Sequence, residues 1–293
     1  MHDTLLITDS CCDLPSETLE EAGVELLHLP YALDGEEQLG EAEHGLSPDA
    51  FYDALRAGAR STTSQVPSTD YAAAFRRAHD AGKSAIVVTV SSGLSSSYDT
   101  ALVARERFLQ EFPHVRIHIV DSLSVSAGQG LLVMEMAKKL ADGASAEAVV
   151  QWAEDNRMRA NTVFTLDSYE YLVRGGRISP AVATAGMVLN VKPVLHVDAE
   201  GRLAPFMKVR GRRRALSALA EATAKRITNP EEQTIIVNHA QCPEDADALI
   251  GMLQERAAVQ AVRTGRVGAV LGTHSGPGAL VLAFWGTPRT NHA

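Results

Sequence analysis

Three cysteines in 293 residues are too few for a disulfide framework, and two of them, Cys11 and Cys12, are neighbours. Adjacent cysteines rarely bridge, because the geometry is strained. Neither they nor Cys242 join a Cys/His pair at metal-ligand spacing, so all three read as reduced thiols of a cytoplasmic protein with no metal site. Positive charge is also scarce: 27 Lys and Arg against 36 Asp and Glu give a formal net charge of -9. A phosphate backbone needs a basic surface, which argues against a nucleic-acid partner. The N-terminus lacks a basic region followed by an apolar core, so no signal peptide is expected. Val267 to Pro288 contains no Asp, Glu, Lys or Arg and is long enough to span a bilayer. However, "GTHSGPG" in its middle would expose broken backbone to lipid. Two buried strands joined by a turn are expected there.

The length suits about two domains with a sizeable core, and 45% hydrophobic with 22% charged residues is ordinary for a soluble globular chain. The first half alternates apolar runs with helical patterns. Strands are expected at "LLIT" (Leu5 to Thr8), "VELLHL" (Val24 to Leu29), "AIVVTV" (Ala85 to Val90) and "VRIHIV" (Val115 to Val120). Ser47 before Pro48 starts one helix, and Ser68 caps another that Gly82 ends. Such alternation predicts parallel strands with helices on their faces. After about Asn156 the rhythm changes. "TVFTL" is followed by "YEYLVRGGRIS" and a helix-like "PAVATAGMVLN", then two strands around Ala199 to Gly201. A helix from Arg212 to Ile227, the strand "TIIVNHA", a helix from Pro243 to Ala257 and a final strand pair complete the chain. The expected architecture is α/β in two domains: residues 1–156 an N-terminal parallel-sheet α/β domain, residues 157–293 a C-terminal α+β domain, with a ligand between them.

Three first-half strands end in small polar residues: "TDS" at Thr8 to Ser10, "SSGLSSS" at Ser91 to Ser97, and "DS" at Asp121 to Ser122. Ligands of open α/β sheets bind beyond the carboxyl ends of the strands. The serine-rich turn can hold a nucleophile, cradle an anion, or simply cap the following helix. As a nucleophile, Ser95 stands in "GLSSS", close to the elbow of α/β-hydrolases, with Asp167 and His239 or His274 following in hydrolase order. Against this, Ser97 occupies the place of the second glycine. As an anion cradle, the turn offers several N–H groups and the positive end of a helix dipole. It lacks the lysine and glycine spacing of a nucleotide loop. "RGGRI" (Arg174 to Ile178) is either a helix terminus or a tight turn projecting Arg177 toward an anion. His274 is flanked by small residues in "GTHSGPG". "KVRGRRR" (Lys208 to Arg214) is the one dense basic run, a solvated face or a receiver for an acidic partner.

Taken together in order, these motifs resemble the DegV family of bacterial fatty-acid-binding proteins. The matching pieces are "ITDSCCDLP", "TTSQVPS", "SSGLSSSYDTA", "VDSLSVSAGQG", "LVRGGRIS", "NVKPVLHVDAEG", "KVRGRRRAL" and "HSGPGAL", from Ile7 to about Trp285. The resemblance implies a carrier without catalytic machinery or cofactor. It would hold one palmitate-, stearate- or oleate-like fatty acid in an apolar tunnel, with the carboxylate at the polar strand ends. It also implies a partner, a fatty acid kinase that makes acyl phosphate for phospholipid synthesis, and at most transient membrane contact. Thr63 and Ser95 match the family's carboxylate-contacting hydroxyls, with Ser92 a further candidate. Arg177 and His274 match the head-group arginine and histidine. Arg210, with Arg212 and Arg213, falls where the family meets the kinase. The chain departs from the family at Val66, which replaces a proline, and at Ser96 and Ser97, which replace Gly-Thr. Met207 to Arg214 is richer in arginine than usual.

Overall fold

The computed structural model describes residues 3–38, 46–184 and 191–290. The first half runs through strand β1 (Thr4–Asp9), a 3₁₀ turn (Ser10–Cys12), helix α1 (Ser16–Glu21) and β2 (Val24–Leu27). It continues with β3 (Tyr31–Leu33), β4 (Glu36–Gln38), α2 (Pro48–Arg56), β5 (Ser61–Thr63) and α3 (Ser68–Asp80). Then come β6 (Ser84–Thr89), α4 (Ser97–Glu111), β7 (Ile117–Asp121), α5 (Ala127–Ala141) and α6 (Ala146–Asn156).

Strands β2-β1-β6-β7 form a four-stranded sheet in which every pairing is parallel. Every residue of β6 is buried, as its unbroken apolar run requires of a central strand covered on both faces. Ser47 accepts the N–H of Ala50 at 3.2 Å and Pro48 opens α2, as expected. Gly82, at φ +65, lies just past the end of α3. Ser68 is not a cap: it is the first residue of α3, and Pro67 before it provides no side-chain bond. The sequence reading also missed a second, three-stranded antiparallel sheet, β4-β3-β5. Its strands have three residues each, too short for a period to show.

The second half contains β8 (Ala160–Thr165), α7 (Glu170–Arg174), α8 (Pro180–Thr184), β9 (Val191–Val197) and β10 (Leu203–Arg210). It ends with α9 (Arg212–Arg226), β11 (Thr234–His239), α10 (Pro243–Gln254), β12 (Ala261–Arg266), α11 (Ala269–Ser275) and β13 (Leu280–Trp285). The helix-like "PAVATAGMVLN" is helical through Thr184, and its remainder lies outside the described residues. Six strands form one sheet in the order β10-β9-β8-β13-β11-β12, antiparallel except for the β11–β12 pair. Val267 to Pro288 does not form the expected pair of strands. Only β13 is a strand, and "AVLGTHS" is the helix α11. The apolar start of this stretch, Ala269 to Leu271, is too short to show a period, and tertiary packing decided its form. Gly272 of α11 presses against Phe51 and Tyr52 of α2, leaving no room for a side chain. Among the described residues no helix is long and apolar enough to cross a membrane.

One apolar cluster spans the four-stranded and the six-stranded sheets. Leu6, Ile86 and Val88 of the first sheet belong to the same buried cluster as Phe164, Leu195 and Val281 of the second. Helix α5, with Leu132, Val133 and Met136 fully buried, packs against strands of both.

Candidate functional site

Between the halves lies a cavity enclosing about 750 Å³ of space free of protein atoms, its mouth included. Its walls are largely apolar, with Val90, Val125, Phe164, Leu203, Leu271 and Val281 among them. Thr63, Ser95, Arg177 and His274 also line it.

These four polar residues come from four separate segments: Thr63 and His274 bond to each other, and Arg177 bonds to the backbone beside Ser95. Thr63 is the last residue of β5, and its Oγ1 lies 2.8 Å from Nε2 of His274, in the last turn of α11. On the other side of the imidazole is Gly175, where a Cβ would stand 2.1 Å from Nδ1. That contact explains one glycine of the "RGG" pair. The other, Gly176, supplies a positive φ of 71. The turn they make carries Arg177, whose Nε donates to the carbonyl of Leu94 at 3.1 Å and whose guanidinium also donates to Gly175 at 2.6 Å. Arg177 thus ties the α7–α8 turn to the serine loop, one residue from Ser95.

Ser95 stands two residues before the first residue of α4: its Oγ accepts the N–H of Ser97 at 3.2 Å and lies 3.0 Å from the Ser97 hydroxyl. A triad does not form among the residues that stand in hydrolase order. His274 faces Thr63, His239 accepts the N–H of Cys242 through Nδ1, and Asp167 pairs with Lys192. Ser92 is exposed and is not part of the cavity wall. Its N–H donates to Asp121 at 3.2 Å, which helps hold the loop.

The acidic strand ends support loops rather than line the cavity. Asp9 accepts N–H groups from Val90 at 2.7 Å and Cys11 at 3.1 Å, and the amide of Gln129 at 3.1 Å. Burial nevertheless outweighs these bonds and raises its pKa to about 6. Asp121 accepts from Ser92 and Leu123. Burial, assisted by nearby Arg177, lowers the pKa of His274 to about 4, so the imidazole is neutral at pH 7. Burial first, then the charges of Asp9 and Asp13, raise the pKa of Cys11, which lines the cavity as a neutral thiol.

Sequence reasoning missed Cys11, Ser64, Ser126 and Ser275 as cavity residues. One sign was available for Ser126: it stands in a polar loop between a strand and a glycine-rich helix start.

The basic run lies away from the cavity. Leu203 at one end of β10 lines the cavity, whereas Arg210 at the other end is exposed. Seven residue rises of strand separate them, about 23 Å. Arg213 is also exposed. Arg212 is not part of that exposed face. Its Nε donates to Asp245 at 2.8 Å, and its other nitrogens reach the Gly278 carbonyl at 2.7 Å and Cys242 Sγ at 3.6 Å.

A family model described as "Uncharacterised protein, DegV family" matches residues 3–286. A DegV domain-containing protein of Clostridium perfringens is 38% identical over 289 residues, which is 99% of each chain. The solved structure described as fatty acid binding of a DegV family protein from Thermus thermophilus aligns with a TM-score of 0.84 at 29% identity. It covers 97% of this chain and 100% of that one. DegV, described as a fatty acid binding protein from Bacillus subtilis, aligns with a TM-score of 0.82 at 26% identity, covering 98% and 100%. The chain described here belongs to the DegV family.

Proposed function

We propose that this protein carries one long-chain fatty acid of the palmitate, stearate or oleate kind in the cavity between its halves. The carboxylate meets Thr63 and Ser95 at the end where Arg177 and His274 stand, and the acyl chain lies along the apolar walls. The supporting observation is one cavity that joins apolar walls to four polar side chains, two of which bond to each other. Burying a carboxylate costs several kcal/mol unless donors converge on it, and this cluster supplies them. Each buried CH₂ contributes about 0.8 kcal/mol before ordering costs. The relatives described as fatty-acid-binding agree with this reading.

In the same proposal, residues 1–156 and 157–293 are the two domains that enclose the ligand. The protein is a cytoplasmic carrier of bacterial type and has no catalytic machinery of its own. It presents the carboxylate to a fatty acid kinase, which forms the acyl phosphate used in phospholipid synthesis. Arg210 and Arg213 serve that partner. The hydrolase alternative at Ser95 lacks support, since Ser95 faces Ser97 and not a histidine.

Mass spectrometry of an organic extract of the purified protein tests the proposal. Near-stoichiometric fatty acid is expected. No extractable fatty acid, together with no thermal shift on adding palmitate or oleate, would overturn it. Ester hydrolysis abolished by Ser95→Ala would restore the hydrolase.

A further inference from the structure

Asp13 follows the 3₁₀ turn after β1 and sits at φ 49, ψ 36, a left-handed conformation that Asp adopts more readily than most residues. Three groups distant in sequence converge on it. Its Oδ1 accepts the N–H of Gly268 at 2.9 Å, the residue that caps α11. Its Oδ2 accepts the hydroxyl of Ser126 at 2.5 Å, immediately before α5. Its carbonyl accepts Nδ2 of Asn238 on β11 at 3.1 Å. Ser126 itself holds φ 55, ψ -140, and its N–H donates to Cys11 at 2.7 Å. A residue keeps such backbone geometry only where its surroundings over-determine it.

Helix α11 has seven residues, too few to be stable without outside contacts. Its two ends are fixed by the first half of the chain. Asp13 holds the start, while Thr63 and Ser61 meet His274 and Thr273 at the end. In so short a helix, a displaced first turn displaces the last.

We propose that Asp13 is the positioning residue of the head-group site, holding α11 so that His274 reaches Thr63 in the cavity wall. Its consequence for ligand affinity rests on the fatty-acid reading above. The consequence for His274 does not.

The test compares full-length wild type, Asp13→Gly and Asp13→Asn. Glycine removes the carboxylate yet accepts the same φ. Asparagine can accept from Gly268 through its oxygen and donate to Ser126 through its amide. The readouts are an NMR titration of the His274 imidazole without ligand and binding of a fluorescent palmitate analogue. In Asp13→Gly, the His274 midpoint should rise from about 4 toward 6.5, and the analogue should bind roughly tenfold more weakly. Asp13→Asn should restore both. A lower Tm in Asp13→Gly with an unchanged His274 titration would make Asp13 merely structural and overturn the inference. A wild type that binds no analogue would overturn the fatty-acid reading and leave the titration as the test of Asp13. If Asp13→Gly does not fold, Ser126→Gly removes the Oδ2 partner while placing glycine at the strained position. The His274 midpoint should again rise, and an unchanged midpoint would overturn the inference.

Discussion

Thr63 Oγ1 and His274 Nε2 stand 2.8 Å apart, although 211 residues separate them in the chain. The contact joins the small β4-β3-β5 sheet to a helix inserted between two strands of the large sheet. In the neutral tautomer that carries its proton on Nε2, the imidazole donates to Thr63, and the Thr63 hydroxyl proton is free to donate into the cavity.

Removing either head-group hydroxyl should weaken fatty-acid binding while the fold survives. Thr63→Ala and Ser95→Ala are each expected to cost about 1–3 kcal/mol, as a charged acceptor loses a donor. Ser95→Ala should also lower stability by about 1 kcal/mol, because the Ser97 N–H loses its acceptor. Displacement of a fluorescent fatty acid and urea unfolding separate the two effects. Unchanged affinity in the double variant would place the carboxylate elsewhere.

Gly175→Ala tests the seat of His274 without backbone strain, since φ there is -77. A Cβ only 2.1 Å from Nδ1 must push the imidazole off Thr63. Affinity should fall roughly tenfold, about 1.4 kcal/mol. Wild-type affinity would mean that the imidazole position is unimportant for binding.

Two buried groups should drive stability in opposite directions with pH. The folded-state pKa of His274 lies near 4 against an ordinary 6.5, so the folded protein binds fewer protons there. Its contribution is present above about 6.5 and is lost as pH falls toward 4. Asp9 is shifted up from 3.8 to about 6, so its contribution is present below about 3.8 and is lost as pH rises through 6. Each amounts to about 3 kcal/mol. Relative to wild type, His274→Gln should make stability decline more steeply from pH 4 to 6, and Asp9→Asn should make it rise. Parallel pH profiles for all three proteins would contradict both assignments.

The basic run should divide by function. Arg210→Glu is expected to leave fatty-acid retention intact and reduce acyl-phosphate formation with a cognate kinase, most strongly at low salt. Arg212→Ala should instead lower stability by about 1–3 kcal/mol, since it leaves Asp245 and the Gly278 carbonyl without their donor. Equal loss of retention and phosphorylation in Arg210→Glu would place Arg210 at the ligand. Full kinase activity would make the run a solvated face.

Local pattern was enough to identify the parallel sheet. Strands such as Ala85 to Val90 are buried on both faces, so their sequence is continuously apolar, and serine, proline and glycine mark the helices between them. The ordered motifs named the family and pointed to Thr63, Ser95, Arg177 and His274, which the fold brings to one cavity. Three-dimensional packing decided the rest. "AVLGTHS" is a helix because Phe51 and Tyr52 fit against its glycine face, a contact more than 200 residues away in the chain. Arg212 turns inward while Arg210 and Arg213 stay exposed, because only Arg212 meets Asp245 from another helix. Ser126 and Cys11 line the cavity because Asp13 and α5 place them there. Residue type and period record the medium a side chain needs; which partner supplies it is fixed only when distant segments meet.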